Sequence, residues 1–206
     1  MKQPSLFNVT EAVIADDERG RIAYVEAFVD HATAAQWFAE LRQTVPWRTE
    51  QRRMFDRDIT VPRLLGNFRL DPPDVAMPSA IAEASQRVIT ALDVPFNSVG
   101  LNFYRDGRDS VAPHNDHLYE IREGFPIALL SLGAIRRMTI RAKAMPRRTL
   151  HVDLAPGSLF VMSYQTQLHY THGIPKTDAP VGERISLAFR VKPITRDKAT
   201  RRKGRY

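Results

Sequence analysis

The stretch Arg184-Ile185-Ser186-Leu187-Ala188-Phe189-Arg190-Val191 carries the clearest periodicity in the chain. Its odd-numbered positions are all apolar, and its even-numbered positions are polar or small. Because side chains alternate between the two faces of a strand, the pattern predicts a strand over residues 184–191 with one face in the core. The second face carries two arginines and either meets solvent or lines a cavity. In a cavity, buried arginines require anionic partners, and their planar guanidinium groups match carboxylates.

Seven more short apolar runs precede this strand, separated by Gly, Pro and Asp. They predict strands at 99–105, 111–116, 127–132, 136–143, 149–154, 158–163 and 169–174. Eight short strands with turn signals between them are typical of a β-sandwich or jelly roll. The expected fold class is therefore mainly β with flanking helices (α+β), and the helices pack on the outside.

Two helices are predicted ahead of these strands. Asp30 can cap a helix from about residue 31 to residue 43, whose apolar residues recur at helical spacing. A second helix begins at Pro78, because proline suits the first turn, and continues to about Leu92.

The rest of the N-terminal part has weaker patterns. Residues 1–25 predict an irregular leader that ends in a short strand at 22–25, and the arginine-rich residues 47–71 predict strands and loops. A chain of 206 residues can form a single domain. We assign residues 1–98 to a helical and substrate-lid region of the same domain as the core at 99–191.

The composition excludes several kinds of site. There are no cysteines, so disulfides, thiolate zinc sites and cysteine nucleophiles are excluded, and any metal must be held by nitrogen and oxygen. The N-terminal residues lack the apolar segment of a signal peptide, and no apolar run is long enough to span a membrane. We expect a cytoplasmic, monomeric protein that does not bind membranes.

The net charge of +7 is concentrated at one end of the chain. The segment 192–206 predicts a disordered, solvated tail, and it leaves the rest of the chain near +1. Its basic residues could add phosphate affinity that weakens with salt. They are Lys192, Arg196, Lys198, Arg201, Arg202, Lys203 and Arg205. A second basic cluster contains Arg136, Arg137, Arg141, Lys143, Arg147 and Arg148.

The tripeptide His114-Asn115-Asp116 lies inside the predicted strand 111–116. Residues two apart on a strand share a face, so the imidazole of His114 and the carboxylate of Asp116 would lie side by side. An isolated tripeptide of this kind also fits a surface turn. A third ligand is needed to favour a metal site.

Three later histidines are candidates for that ligand: His151, His169 and His172. A lone histidine on a strand is usually structural, which suits His31 and His151. His169 would face away from the side that His172 presents. We favour His172, since the segment that follows it leads to the strand with the two arginines. Two histidines and one carboxylate can bind iron(II) on one side of the ion and leave its other coordination positions open.

Further polar side chains fall on suitable faces of the predicted strands. Arg184 and Arg190 lie six residues apart and could hold a dicarboxylate beside the iron, which suggests an oxygenase with 2-oxoglutarate as co-substrate. Asn102 and Tyr104 share one face of the predicted strand 99–105 and could donate hydrogen bonds to a carboxylate or keto group. Taken alone, that pair also fits a satisfied edge strand.

Six motifs follow one another along the second half of the chain. They are N-F-Y-R-D-G (102–107), H-N-D (114–116), S-L-G (131–133), G-S-L-F-V-M (157–162), H-x-x-P from His172, and R-I-S-L-A-F-R (184–190). This ordered set resembles the AlkB family of iron(II)/2-oxoglutarate dioxygenases over residues 99–191. The resemblance implies a double-stranded β-helix (jelly roll) core in which His114, Asp116 and His172 bind iron.

The resemblance also implies how the co-substrate is bound. By the family pattern, Arg184 grips the distal carboxylate of 2-oxoglutarate and Arg190 lies near the metal end, with Asn102 and Tyr104 as further contacts. Ser186 stands where members commonly carry asparagine, so we expect one weaker contact. With O2, the co-substrate would yield succinate and carbon dioxide, and a hydroxylated N-methyl group would be lost as formaldehyde.

The implied substrate is DNA or RNA with alkylated bases, as in repair of DNA damage by nucleic acid demethylation. Leu118 occupies a position where repairing members often carry an acidic residue. The tryptophan-tyrosine signature that often follows the V-P-R-like segment (61–63) is absent, although a phenylalanine there could stack a base. The candidate substrate contacts are Arg63, Phe68, Leu118, Arg141 and Tyr170.

Two alternatives remain open at this level. The same iron chemistry could act on a protein side chain or a small molecule, which Leu118 and the short lid segment at 71–74 favour. An inactive jelly roll could instead bind nucleic acid through its basic surface. The complete set of metal-ligand residues argues against that third hypothesis, because a degenerate site usually loses a ligand.

Overall fold

The computed structural model describes residues 11–54 and 57–193, and within them the chain forms three layers. A seven-stranded sheet lies in the middle, with two long helices on one face and a four-stranded sheet on the other. The predicted class, mainly β with external helices around a jelly roll, is confirmed. The predicted tail falls mostly at 194–206, outside the described residues.

The central sheet gathers strands from both halves of the chain. Its spatial order is β1-β2-β11-β8-β13-β6-β5. The strands are β1 (Glu11–Asp17), β2 (Gly20–Val25), β5 (Leu64–Arg69), β6 (Ser98–Tyr104), β8 (Ile127–Gly133), β11 (Leu159–Met162) and β13 (Arg184–Arg190). β13 is a central strand of this sheet, because it pairs with β8 on one side and with β6 on the other.

The alternation predicted for β13 is confirmed and separates two core clusters. Ile185, Leu187 and Phe189 belong to the larger cluster, which the helices cover. Ala188 belongs to the second cluster, which lies between the two sheets. The second face of the strand is therefore enclosed by protein rather than by solvent, which decides the question that the sequence pattern left open.

The helices are α1 (His31–Thr44) and α2 (Ser79–Leu92). Asp30 caps α1, since its Oδ1 accepts a hydrogen bond of 2.9 Å from the Thr33 amide. Pro78 precedes the first residue of α2 instead of lying in its first turn. Trp37 on α1 donates to Glu83 on α2 over 3.1 Å and anchors the two helices together. None of the helices in the described ranges has the length and apolar character that a membrane crossing requires.

The smaller sheet carries the other strands of the jelly roll in the order β10-β9-β12-β7. They are β7 (Val111–His114), β9 (Arg136–Ala142), β10 (Thr149–Leu154) and β12 (Tyr170–Ile174). A separate two-stranded ribbon joins β3 (Gln51–Met54) to β4 (Arg57–Thr60). The expected strands and loops of residues 47–71 are thus present.

Two local predictions are wrong. Instead of an irregular leader, residues 11–25 form a hairpin whose strand β2 pairs with β11, while residues 1–10 lie outside the described range. Residues 164–169 form a short helix, α3 (Tyr164–His169), so the predicted strand 169–174 begins one residue later. A largely exposed edge strand and a six-residue helix both lack the apolar periodicity on which the predictions relied.

Candidate metal centre

The side chains of His114, Asp116 and His172 meet at one end of the space between the sheets. One ligand atom of each lies within 4.8 Å of the others. His114 Nε2 is 3.9 Å from Asp116 Oδ1, and the two imidazole centroids are 4.5 Å apart. This spacing fits a single divalent cation with two nitrogen ligands and one oxygen ligand, the set that suits iron(II).

Strand pairing explains why residues so distant in sequence meet here. β12 is antiparallel to β7, and His172 is the direct cross-strand partner of His114. Directly paired residues project from the same face of a sheet, so both imidazoles enter the same space. Asp116 lies beyond the end of β7, because the predicted strand 111–116 stops at His114.

The imidazoles are prepared to bind a metal as neutral ligands. Burial, reinforced by the adjacent His114 ring, lowers the pKa of His172 to about 3. Burial also lowers the pKa of His114, although 42% of that side chain is exposed. Nδ1 of His114 lies 3.0 Å from the carbonyl oxygen of Ala112. A proton on Nδ1 would donate to that oxygen and leave Nε2 free for a cation.

Asp116 is held as a carboxylate by an arginine. Burial alone would raise the pKa of Asp116, but the charge and hydrogen bond of Arg190 outweigh it and the pKa lies below its ordinary value. Arg190 Nε donates to Asp116 Oδ2 over 2.6 Å, which leaves Oδ1 on the side of His114. Arg190 therefore orients the third ligand.

A second arginine lies deep between the sheets with unused donors. Arg184 is 1% exposed, and its Nη2 donates to Ser131 Oγ over 2.8 Å. Its Nε and Nη1 are buried without a hydrogen-bond partner among the described residues. Buried charged donors in this state are costly, so a bound anion is the natural complement. A carboxylate of 2-oxoglutarate fits them, because its two oxygens match two guanidinium donors.

The remaining polar side chains of this face surround the same space. Tyr104 pairs with Arg184 across β6 and β13, and the Arg184 guanidinium lies 5.0 Å from its ring centroid. Asn102 pairs with Ser186, with 3.4 Å between Asn102 Nδ2 and Ser186 Oγ. The face that contains Arg184 thus offers hydroxyl and amide groups between the arginine and the metal ligands, enough to hold a dicarboxylate.

Comparison with known proteins agrees with this geometry. A family model described as the 2OG-Fe(II) oxygenase superfamily matches residues 21–190. The chain belongs to this superfamily. Iron(II), 2-oxoglutarate and O2 are therefore the cofactor and co-substrates implied for the site, and the triad together with the two arginines fits them.

The chain is similar in sequence to AlkB proteins. It is 38% identical to the DNA oxidative demethylase ALKBH2 of Mus musculus, in a match that covers 50% of this chain and 46% of the relative. It is 30% identical to the alpha-ketoglutarate-dependent dioxygenase alkB homolog 3 of Rattus norvegicus over 82% of this chain and 63% of the relative. The chain thus spans about half to two thirds of the length of these relatives, and it is an AlkB-like member of the superfamily.

A solved structure supports the fold alone. The structure of OsALKBH1 superposes with a TM-score of 0.58 at 11% identity and covers 87% of this chain and all of that one. The jelly roll with external helices is therefore shared at a level where little of the sequence is shared.

The proposed substrate residues of the oxygenase are less uniformly placed than the metal ligands. Arg63 reaches the site, since its Nε donates to Asn102 Oδ1 over 2.6 Å. Leu118, in a short 3-10 helix at residues 118–120, is half-buried beside the core between the sheets. Arg141 is exposed on β9, on the far side of the smaller sheet from the core residue Ile140.

Two expected substrate contacts face the interior. Phe68 is 6% exposed and packs in the core beneath the helices, so it does not offer a ring to a base. Side chains alternate between the two faces of β5, and Phe68 lies on the buried face. Tyr170 is 2% exposed, within the core between the sheets. The expected basic cluster also changes, because Arg136 is buried and its guanidinium donates to the carbonyl oxygens of Asp106, Asp109 and Pro175.

Two further residues contact the site in roles that the sequence did not predict. Ser131 accepts from Arg184, and its position opposite Ser186 on the adjacent strand β8 could have indicated this. Gln167 on α3 accepts a hydrogen bond from the Asp116 amide over 3.0 Å. Only the unpredicted helix α3 brings Gln167 to this position, so no periodic signal marked it.

Proposed function

We propose that this chain is an iron(II)- and 2-oxoglutarate-dependent dioxygenase that oxidatively demethylates N-alkylated bases in DNA or RNA. The observation that carries the proposal is the combination of the His114-Asp116-His172 triad with Arg184, whose buried Nε and Nη1 lack a partner among the described residues. Relatives named DNA oxidative demethylase support the substrate class.

Each residue of the site has a definite task in this reaction. His114 and His172 supply neutral nitrogen ligands, while Arg190 keeps Asp116 ionised and oriented. Arg184 binds and orients the carboxylate of the co-substrate that is distant from the metal. Bound iron supplies the activation of O2 that couples decarboxylation of 2-oxoglutarate to oxidation of the substrate.

The three triad residues differ in exposure, which indicates where the substrate enters. The side chain of His114 is 42% exposed and that of Asp116 is 10% exposed, while His172 as a whole residue is 7% exposed. A substrate therefore approaches from the His114 side. Because His172 and Asp116 are buried, water is kept from the part of the site where the co-substrate would bind, and this limits unproductive chemistry.

Exposed aromatic rings follow His114 and Asp116 closely along the chain. His117 and Tyr119 stack with ring centroids 5.2 Å apart and planes inclined by 20°, and Tyr119 is 76% exposed. Aromatic platforms of this kind stack with nucleic-acid bases irrespective of sequence. They can replace the stacking surface that Phe68 does not offer.

A second candidate substrate is a protein side chain or small molecule. Leu118 favours it, because an apolar residue stands at the position where an acidic base reader was expected. A third candidate, an inactive nucleic-acid-binding module, predicts no turnover at all. We further propose that the protein acts as a cytoplasmic monomer.

The deciding experiment measures succinate formed from 2-oxoglutarate and iron(II), with and without a single-stranded oligonucleotide that contains N1-methyladenine or N3-methylcytosine. We expect the oligonucleotide to stimulate turnover and to lose its methyl group, and His114→Ala or Asp116→Ala to abolish both. His151→Ala is the matched control, since His151 is exposed on β10 and outside the triad.

The alternatives give distinct outcomes in the same assay. Turnover that ignores the oligonucleotide would retain the oxygenase and reject the nucleic-acid substrate, and methylated peptides would then be tested. Absence of turnover in iron-loaded protein would leave only the binding module.

A further inference from the structure

Asp116 follows the end of a strand and does not take part in its backbone pairing. β7 ends at His114, so the Asp116 amide lies outside the pairing of β7 with β12. That amide donates instead to Gln167 Oε1 over 3.0 Å, and both residues are buried. We propose that Gln167 is a positioning residue that fixes the backbone of the metal ligand Asp116. The inference rests on the proposed function, because it takes Asp116 to be a metal ligand.

The Gln167 side chain has one orientation that satisfies its surroundings. Gln167 is 1% exposed, and its Nε2 donates to Thr166 Oγ1 over 3.1 Å and lies 3.9 Å from Met162 Sδ. Thr166 Oγ1 in turn donates to the Ser163 carbonyl oxygen over 2.6 Å. A flipped amide would set an N–H group against the Asp116 N–H group, so the network aims Oε1 at Asp116.

The helix that carries Gln167 also leads into the strand that carries His172. α3 ends at His169 and β12 begins at Tyr170, so His172 follows Gln167 by five residues. The carbonyl oxygen of Gln167 accepts from Lys143 Nζ over 2.7 Å, and the Lys143 amide donates to the His169 carbonyl oxygen over 2.9 Å. These bonds fix α3 against the end of β9.

The Asp116 ligand is thereby held at two points. Arg190 holds its carboxylate from β13 in the larger sheet, and Gln167 holds its amide from α3, which leads into β12 of the smaller sheet. Since His172 continues from the same helix, a displacement of α3 would move two ligands relative to His114. Outer contacts that orient ligands typically change metal affinity by about 10- to 100-fold when they are removed.

The test is a titration of the full chain with Co(II), a spectroscopic substitute for iron(II), followed by its visible absorption and by the metal dissociation constant. Gln167→Met keeps the side-chain volume but removes the acceptor. Gln167→Asn keeps the amide but shortens its reach. Gln165→Met, at an exposed position of the same helix, is the matched control.

We expect the Met and Asn variants to bind Co(II) about 10- to 100-fold more weakly than the parent, with a changed absorption spectrum. The Gln165 variant should keep the parental affinity and spectrum. If Gln167→Met does not fold, the Asn variant carries the comparison. Parental affinity and spectrum in a folded Asn or Met variant would overturn the positioning role.

The same titration separates this inference from the proposed function. If the parent does not bind Co(II), or if His114→Ala binds it equally well, the metal site itself is rejected. If the parent binds and His114→Ala does not, the site stands and the Gln167 variants alone decide the inference.

Discussion

Arg184 and Arg136 both lie beside the ring of Tyr104, with guanidinium carbons 5.0 Å and 5.6 Å from its centroid, yet their donors differ. Arg184 has two donors without a partner among the described residues. We expect Arg184→Met to weaken 2-oxoglutarate binding by at least about 100-fold, because a bidentate charged contact is lost. It should leave the free energy of unfolding without co-substrate unchanged or raised, since an uncompensated buried charge is removed. Calorimetric titration and urea unfolding measure the two quantities.

Arg136→Met is the matched control for that prediction. Its guanidinium donates to three backbone carbonyl oxygens, so its loss leaves buried acceptors unpaired. We expect the free energy of unfolding to fall by about 2 kcal/mol or more in this variant. Undiminished 2-oxoglutarate affinity in Arg184→Met would contradict the role given to Arg184.

Asp109 contributes a pH dependence through the loop between β6 and β7. Burial alone would raise its pKa, but hydrogen bonds from the Arg105 side chain and amide outweigh it, and the pKa is lowered. A carboxyl with a depressed folded pKa stabilises the protein above the unfolded pKa and loses that stabilisation as the pH falls through the folded value.

Arg105→Met should therefore reduce the difference in the free energy of unfolding between pH 7 and pH 2, a range that spans the unfolded pKa of the carboxyl and reaches below it. About 1 kcal/mol is expected, because the half-exposed Arg105 side chain is partly screened by solvent and the Arg105 amide bond remains. Urea unfolding of parent and variant at both pH values checks it. An Arg108→Met variant, whose partner Asp106 is far more exposed, should change little. An equal pH dependence in the parent and Arg105→Met would refute the assignment.

Single residues were predictable where the alternation of side chains along a strand fixed the face on which they lie. The sequence predicted that Arg184 and Asn102 share faces with other polar groups, and the structure brings them together. Phe68 and Arg136 were misjudged, because composition alone does not show whether a ring or a charge points into a core. That depends on partners far away in the sequence, such as the carbonyl oxygen of Pro175.

At the level of elements, the contact between β12 and β7 is unusually close at Gly173. A Cβ added there would lie 2.7 Å from the carbonyl oxygen of Val111 and 3.1 Å from Pro113 N. Gly173→Ala should therefore push β7 away and separate His114 from His172. We expect metal affinity to fall by at least about 10-fold, as for other changes that misplace ligands.

A Co(II) titration and a thermal unfolding curve would check this expectation. Gly182→Ala is the control, because its added methyl group would meet only an ordinary contact of 3.7 Å. Unchanged Co(II) affinity in a folded Gly173→Ala protein would show that β7 can shift without disturbing the site.

Elements with strong apolar periodicity were the predictable ones. The eight core strands and both long helices were expected within a residue or two of where they lie, and all of them except β7 bury an apolar face. The strand β1 and the short helix α3 were not, since β1 is largely exposed and α3 is too short for a repeat. Consequently the hydrogen bond from Asp116 to Gln167 could not be foreseen.

For the whole molecule, the uneven distribution of charge predicts a salt effect. The segment 192–206 carries most of the net charge of +7, and its first residue follows β13, whose Arg190 contacts Asp116. We expect glutamine at the basic positions from 196 to 205 to flatten the salt dependence of single-stranded oligonucleotide binding. Each lost phosphate contact should change the slope of log K against log salt by about 0.7.

Fluorescence anisotropy at several salt concentrations measures that slope. The matched control neutralises Arg141, Arg147 and Arg148, which separates the contribution of the β9 to β10 region. A tail variant with the parental slope would show that the segment does not contact phosphates.

The two faces of β13 have a practical consequence for protein engineering. Positions 185, 187 and 189 contact the helix-covered core, whereas positions 184, 186 and 188 face the space between the sheets. A combinatorial library restricted to the even positions would sample selectivity among keto acids of different length. A library restricted to the odd positions would sample thermal tolerance. One strand thus offers two nearly independent routes for directed evolution, distinguished only by whether a residue number is odd or even.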